Sequence, residues 1–192
     1  MATTLNHSRQ LRNVRRAPAW MVAIPLLSLL WPAPPGMASE LEPVPGSPTA
    51  PALGLKDLGD RVHQLDDYVG QVILVNFWGT WCPPCVAEMP SLQSLKTAFA
   101  GRPFALLAVN MGEGKRRVQQ FRKTAGIDFT LLLDPSSEVS QRWAVNFVPA
   151  NFLIDAQGRV RYQAFGEVAW DDDDVRATVG KLINEAGPAS AD

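Results

Sequence analysis

Cysteine is scarce in this sequence: Cys82 and Cys85 are the only two among 192 residues. No cysteine lies near residue 38, where a lipid could be attached behind an export signal. Histidine is equally sparse, at two residues. His63 is the only one beyond the N-terminal segment, it is expected on a strand surface, and alone it cannot build a metal site. Basic charge is not in excess either, with 18 Lys and Arg against 19 Asp and Glu. Arg9, Arg12, Arg15 and Arg16 are the only charged side chains in the first 38 residues. Without them 14 basic groups face 19 acidic ones, a net charge of −5. A mildly acidic domain without a basic stripe lacks the electrostatics of nucleic-acid binding, so nucleic acid is not expected as a partner. No internal repeat is visible. With 46% hydrophobic and 19% charged residues, the composition is that of one folded domain with an extension.

The extension comes first. Residues 1–38 combine a basic start, an apolar stretch from Ala17 to Trp31 and the small-residue end Gly36-Met37-Ala38, the pattern of a signal peptide or an N-terminal membrane anchor. The uncharged run is long enough to span a bilayer, but Pro18, Pro25, Pro32, Pro34 and Pro35 break a helix repeatedly, which favours a cleaved signal. Either reading places the domain in the periplasm or another extracytoplasmic space, soluble or tethered. Residues 39–50, with Pro43, Pro45 and Pro48, read as an extended Pro-rich linker. The domain is expected over 51–186, and 187–192 as a flexible tail.

Hydrophobic patterning gives the fold class, an α/β domain whose central mixed β-sheet is flanked by helices. Leu53–Asp57 and Arg61–Leu65 resemble an N-terminal β-hairpin, and Val72–Trp78 is a nearly unbroken apolar run suited to a buried central strand. Val86, Met89, Leu92, Leu95 and Phe99 then recur at helical spacing. Further strands are expected at Phe104–Val109, Phe129–Leu133, Asn151–Asp155 and Arg159–Phe165, with helices over Lys115–Thr124 and Ser137–Trp143. A last helix opens on the acidic run Asp171–Asp174, which suits a helix N-terminus.

The two cysteines therefore stand where a buried strand runs into a helix. A single structural disulfide is the bland reading, yet a bridge across two residues restrains the unfolded chain weakly. Cysteine at a helix N-terminus faces unpaired N–H groups, and its pKa falls from about 8.5 toward roughly 3.5–7.5 in such settings. Cys82 is accordingly the candidate nucleophile and Cys85 the resolving thiol that closes a redox-active disulfide, with no other cofactor and no metal expected. Pro83 and Pro84 suit the first helical turn, where a missing N–H costs nothing.

The run Val75-Asn76-Phe77-Trp78-Gly79-Thr80-Trp81-Cys82-Pro83-Pro84-Cys85, followed by Glu88-Met89-Pro90, resembles the TlpA/ResA branch of the thioredoxin superfamily. Val148-Pro149 before Asn151-Phe152-Leu153-Ile154-Asp155 is similar to that family's cis-proline loop. The resemblance implies a thioredoxin-like fold and a protein-disulfide reductase. Trp81, Pro83, Pro84, Val148 and Pro149 would contact substrate, Trp78 would pack inside and Trp81 would line a surface groove. Ala150 stands where the family often carries threonine. Asn76 occupies the place of a buried aspartate in thioredoxins proper, and Glu88 matches the glutamate that ResA-like proteins use in proton transfer. Partners implied are disulfide-containing clients, such as apocytochrome c or copper-site assembly proteins, and a membrane thiol donor; a monomer is expected. Two thiolates at this spacing also suit Cu(I), so a copper-binding or copper-delivery module is the alternative. A peroxidase of similar fold would prefer threonine or serine where Gly79 stands.

Overall fold

The computed structural model describes residues 39–186; residues 1–38, expected to be a signal peptide or anchor, and 187–192, expected to be a tail, lie outside them. The eight strands are β1 (Glu42–Pro43), β2 (Leu55–Asp57), β3 (Val62–His63), β4 (Val72–Trp78), β5 (Phe104–Met111), β6 (Thr130–Asp134), β7 (Ala150–Ile154) and β8 (Val160–Phe165). They form one sheet in the order β1-β8-β7-β4-β5-β6-β2-β3. β4 pairs parallel with β5 and antiparallel with β7, so the sheet is mixed. Four α-helices accompany it: α1 (Pro83–Ala98), α2 (Lys115–Ala125), α3 (Glu138–Arg142) and α4 (Asp173–Glu185).

β4 is the spine because every one of its seven residues is buried. Its side chains alternate between faces as a strand requires. Val72, Leu74 and Trp78 join a core with Met89, Leu92 and Leu95 of α1, Val118 of α2 and Val179, Leu182 and Ile183 of α4. Ile73, Val75 and Phe77 face the opposite core, with Val139 and Trp143. Asn76 falls on the first of these faces, beneath α1. Apart from the Trp78 indole N–H, Asn76 is the one polar side chain on an otherwise apolar buried strand, and its amide requires a partner there.

Helix α1 buries Cys85, Glu88, Met89, Leu92 and Leu95. The stripe differs from the sequence reading at its start: Val86 is 36% exposed, and Cys85 and Glu88 take the inward positions. The helix continues through Pro90. Asp172 caps α4, accepting from the N–H groups of Asp174 and Val175 at 2.9 and 3.4 Å, a role that satisfies donors the first turn leaves free.

Two expectations need correction. Residues 39–50 are not a free tether. β1 pairs with β8, Val44 N–H donates to Arg161 C=O at 2.9 Å, and Val160 N–H to Pro48 C=O at 2.9 Å. Proline is tolerated there because β1 is an edge strand. His63 is not a surface residue: it is 4% exposed, with its Nε2 3.0 Å from Asp57 Oδ2 and Nδ1 against the Tyr68 hydroxyl. The β2–β3 pair, whose register is Leu55↔His63 and Lys56↔Val62, continues through β2 onto β6.

Candidate active site

The end of β4 delivers the chain to a turn, Gly79–Cys82, closed by the Cys82 N–H donating to the Gly79 C=O at 3.2 Å. Trp81 lies back over Gly79, where an added Cβ would come within 2.5 Å of the indole. Only glycine leaves room for that ring. Cys82 is the N-cap of α1 in extended conformation, and Pro83 and Pro84 follow where the helix has no use for their missing N–H groups. Cys82 and Cys85 are joined in a disulfide with Cα atoms 5.3 Å apart. The Cys85 N–H points at Cys82 Sγ, 3.3 Å away, so the atom that would carry thiolate charge after reduction already faces a helix-terminal donor. Cys82 is 4% exposed and Cys85 fully buried.

Val148 C=O stands 3.7 Å from Cys82 Sγ, and the Val148–Pro149 peptide is cis. Thus a carbonyl 66 positions along the chain stands against the Cys82 sulfur. Trp81 is 60% exposed, and Phe147, beside Val148, is 58% exposed. Pro83 and Pro84 are also exposed, whereas Pro149 is buried and offers almost no surface itself.

Beneath the disulfide lies a polar cluster. Glu88, one turn along α1 from Cys85, is 1% exposed. Asn76 Nδ2 donates to Glu88 Oε1 at 2.6 Å and to Asn151 Oδ1 at 2.8 Å. Val168 N–H donates to Glu88 Oε2 at 3.2 Å. Asn76 and Asn151 meet because they are register partners across β4 and β7. Burial raises the Glu88 pKa from an ordinary 4.5 to about 7; the Val168 and Asn76 donors and the nearby Trp170 indole pull it down, while Glu167 pushes it further up. The Trp170 Nε1 is fully buried and makes no hydrogen bond of normal geometry, so the firm donors to Glu88 are Asn76 and Val168. A buried acid of this kind can release or take a proton near neutrality.

Sequence reasoning named Asn76 and Glu88 but not what holds them. Asn151 was read only as part of a strand, and Val168 and Trp170 lie in a loop without a pattern. A second set was missed altogether: Glu113, between β5 and α2, accepts from Thr80 N–H and Thr80 Oγ1 at 2.7 and 2.6 Å. Among the described residues no group of three or more His, Cys, Asp or Glu is placed to hold a metal ion.

The chain is similar to known proteins. Residues 47–163 match the model of the AhpC/TSA family. The chain is 39% identical over 124 residues to the thiol-disulfide oxidoreductase ResA of Geobacillus thermodenitrificans, covering 65% of this chain and 71% of that one. It is 36% identical over 111 residues to the ResA of Bacillus subtilis strain 168, covering 58% and 62%. Among solved structures, a secreted thiol-disulfide isomerase from Corynebacterium glutamicum superposes with a TM-score of 0.68 at 24% identity, over 79% of this chain and 95% of that one. A thioredoxin-family thiol:disulfide interchange protein from Chlorobium tepidum gives 0.63 at 24% identity, over 75% and 99%. With the family model covering more than half of its length, the chain belongs to the AhpC/TSA family, and its ResA relatives make it a thiol-disulfide oxidoreductase of thioredoxin-like fold.

Proposed function

We propose that this protein reduces disulfides in client proteins outside the cytoplasm, with Cys82 as nucleophile, Cys85 as resolving thiol and Glu88 as the group that exchanges protons with them. The observation that carries the reading is the buried Glu88 carboxyl one helical turn from Cys85, beneath a disulfide that caps α1. In the reduced protein the Cys82 thiolate attacks one sulfur of the client disulfide. A Cys82–client bond forms, and the other client sulfur leaves as a thiolate. Cys85, being fully buried, cannot hand its proton to water directly, so Glu88 accepts it. The Cys85 thiolate then attacks Cys82 Sγ, re-forming the Cys82–Cys85 disulfide and expelling the second client thiolate. Two electrons pass to the client; one leaving thiolate takes up the proton that Glu88 received and the other takes one from solvent.

An extended client segment would lie between Trp81, Pro83 and Pro84 on one side and Val148 on the other, with Pro149 shaping the loop from below. Export rests on the N-terminal pattern and on the secreted character of the Corynebacterium neighbour; among the described residues no helix is long and apolar enough to cross a membrane. Apocytochrome c and copper-site assembly proteins are the client classes that the ResA resemblance suggests, with a membrane thiol donor restoring the dithiol and the protein acting as a monomer. The test is a redox titration of the purified protein combined with trapping by Cys85→Ser, which should accumulate a Cys82–client mixed disulfide. A potential in the range of strong oxidants would reject the reductase reading. A tight stoichiometric Cu(I) complex of the reduced protein would favour copper handling instead.

A further inference from the structure

The turn that presents Cys82 is gripped from outside its own element. Glu113 accepts both hydrogen bonds that Thr80 can donate, from N–H at 2.7 Å and from Oγ1 at 2.6 Å. Asn110, near the end of β5, donates Nδ2 to Glu113 Oε2 at 2.8 Å. Arg117 of α2 donates Nε to Thr80 Oγ1 at 2.9 Å and lies 3.7 Å from Glu113 Oε1. The Glu113 side chain is 12% exposed, that of Arg117 67%. A sequestered carboxylate is costly unless donors surround it. Here burial alone would raise the Glu113 pKa, but the bonds from Thr80 and Asn110, with the Arg117 charge, leave it below its ordinary value. An ionised acid thus holds the residue two positions before the nucleophile.

We propose that Glu113 is a positioning residue for thiol-disulfide exchange: through Thr80 it fixes the turn carrying Trp81 and Cys82, and its negative charge opposes the α1 N-terminus in setting how readily Cys82 ionises. Glu113 reaches neither sulfur and acts through the turn. The charged side chains bonded to the turn are Glu113 and Arg117; Glu88 lies on α1. The turn needs outside support because Gly79 contributes no side chain, and its one internal bond, Cys82 N–H to Gly79 C=O, is long at 3.2 Å. The effect of the carboxylate has a definite sign: removing a nearby negative charge favours a second one, so neutralising Glu113 should lower the Cys82 pKa.

The experiment uses the full chain, reduced, with Glu113→Gln, Glu113→Ala and Thr80→Val. Two readouts are taken, the ultraviolet titration of the Cys82 thiolate and the pH-independent rate of exchange with a small aromatic disulfide. Glu113→Gln keeps shape and one acceptor; it should shift the Cys82 titration downward with a modest loss of rate. Glu113→Ala should lower the pH-independent rate on the order of tenfold, the scale at which small misplacements of reacting groups act. Thr80→Val should fall in the same direction, and the double variant should be no slower than Glu113→Ala alone. A residue that only stabilised the fold would lower the melting temperature and leave both readouts of the folded fraction unchanged. That result in Glu113→Gln and Thr80→Val, conservative enough to fold even where Glu113→Ala does not, overturns the proposal.

Discussion

Glu88→Gln in the oxidised protein isolates one titration. With Cys82 and Cys85 joined, neither sulfur ionises, and Asp57, Glu113, Asp128 and Asp155 have pKa values held below their ordinary ones, away from that of Glu88. Glu88 is the carboxyl that burial raises, from 4.5 to about 7. A raised carboxyl pKa means that the folded protein holds the proton more tightly than the unfolded chain. The stability that it contributes is fully present below pH 4.5, falls as the pH rises, and is gone once the pH passes about 7. At about 1.36 kcal/mol per pH unit across that interval, the loss is roughly 3 kcal/mol. Glutamine keeps the volume and removes the titration. Its amide oxygen can accept from Asn76 Nδ2, as Glu88 Oε1 does at 2.6 Å, while its NH2 takes the place of the oxygen that accepts from Val168 N–H. Urea unfolding of both proteins between pH 4 and 8 should therefore show wild-type stability sloping downward and the variant flat by comparison, with the variant the more stable at pH 8. Parallel profiles would refute the assignment of the raised pKa to Glu88.

Asn76→Ala removes the donor 2.6 Å from Glu88 Oε1, a bond that favours the charged acid, so the Glu88 pKa should climb further; the carboxyl stretch in infrared spectra of the oxidised protein should persist to higher pH, and an unchanged midpoint would count against the coupling. Asp155, buried at the β7–β8 turn, accepts from Gln157 N–H, Arg159 N–H, Arg159 Nε and Arg161 at 2.9–3.3 Å. Asp155→Ala should cost roughly 3 kcal/mol at neutral pH, and because its pKa is lowered, the difference from wild type should shrink as acid protonates Asp155 in the folded protein. Trp81→Ala, at a side chain 60% exposed, should change stability by no more than about 0.5 kcal/mol yet slow exchange with a protein client more than with a small disulfide; equal slowing of both would show that Trp81 serves the sulfur and not the client.

What could be read from the sequence follows from the range of the interactions. β4 and α1 were legible because an apolar run broken only at Asn76 and a three-four periodicity are local signals, and the Cys82–Cys85 spacing carried its own chemistry. β1 was hidden because proline content suggests a tether, while the bonds that dock it reach across more than a hundred residues to Arg161 and Arg159. His63 was misplaced by the face of a two-residue strand: Val62 is 46% exposed and His63 buried, an inversion of hydrophobic order that Asp57 and Tyr68 make affordable by satisfying both ring nitrogens. Asn151 and Glu113 gave no signal, since a single polar residue in or beside a strand acquires meaning only from the register that places it.

The site therefore divides its work between two supports that sequence proximity does not reveal. Thioredoxins proper are expected to carry a strand-borne acid where this chain has Asn76, and the acid here sits on α1 at Glu88, one turn from Cys85. The exchange of positions changes the chemistry. An acid on β4 would approach the disulfide from the sheet, whereas Glu88 lies on the helix whose N-terminus holds the disulfide, so in the proposed exchange the proton acceptor and the resolving thiol share one helix. Asn76 then serves as an uncharged strut that orients the carboxyl and biases it toward ionisation against the burial that holds it near 7. Above the disulfide, Glu113 steadies the nucleophile's turn from the β5–α2 connection. In the proposed mechanism each cysteine thus has its own carboxylate, Cys85 one that burial raises to about 7 and Cys82 one whose donors keep its pKa below the ordinary value.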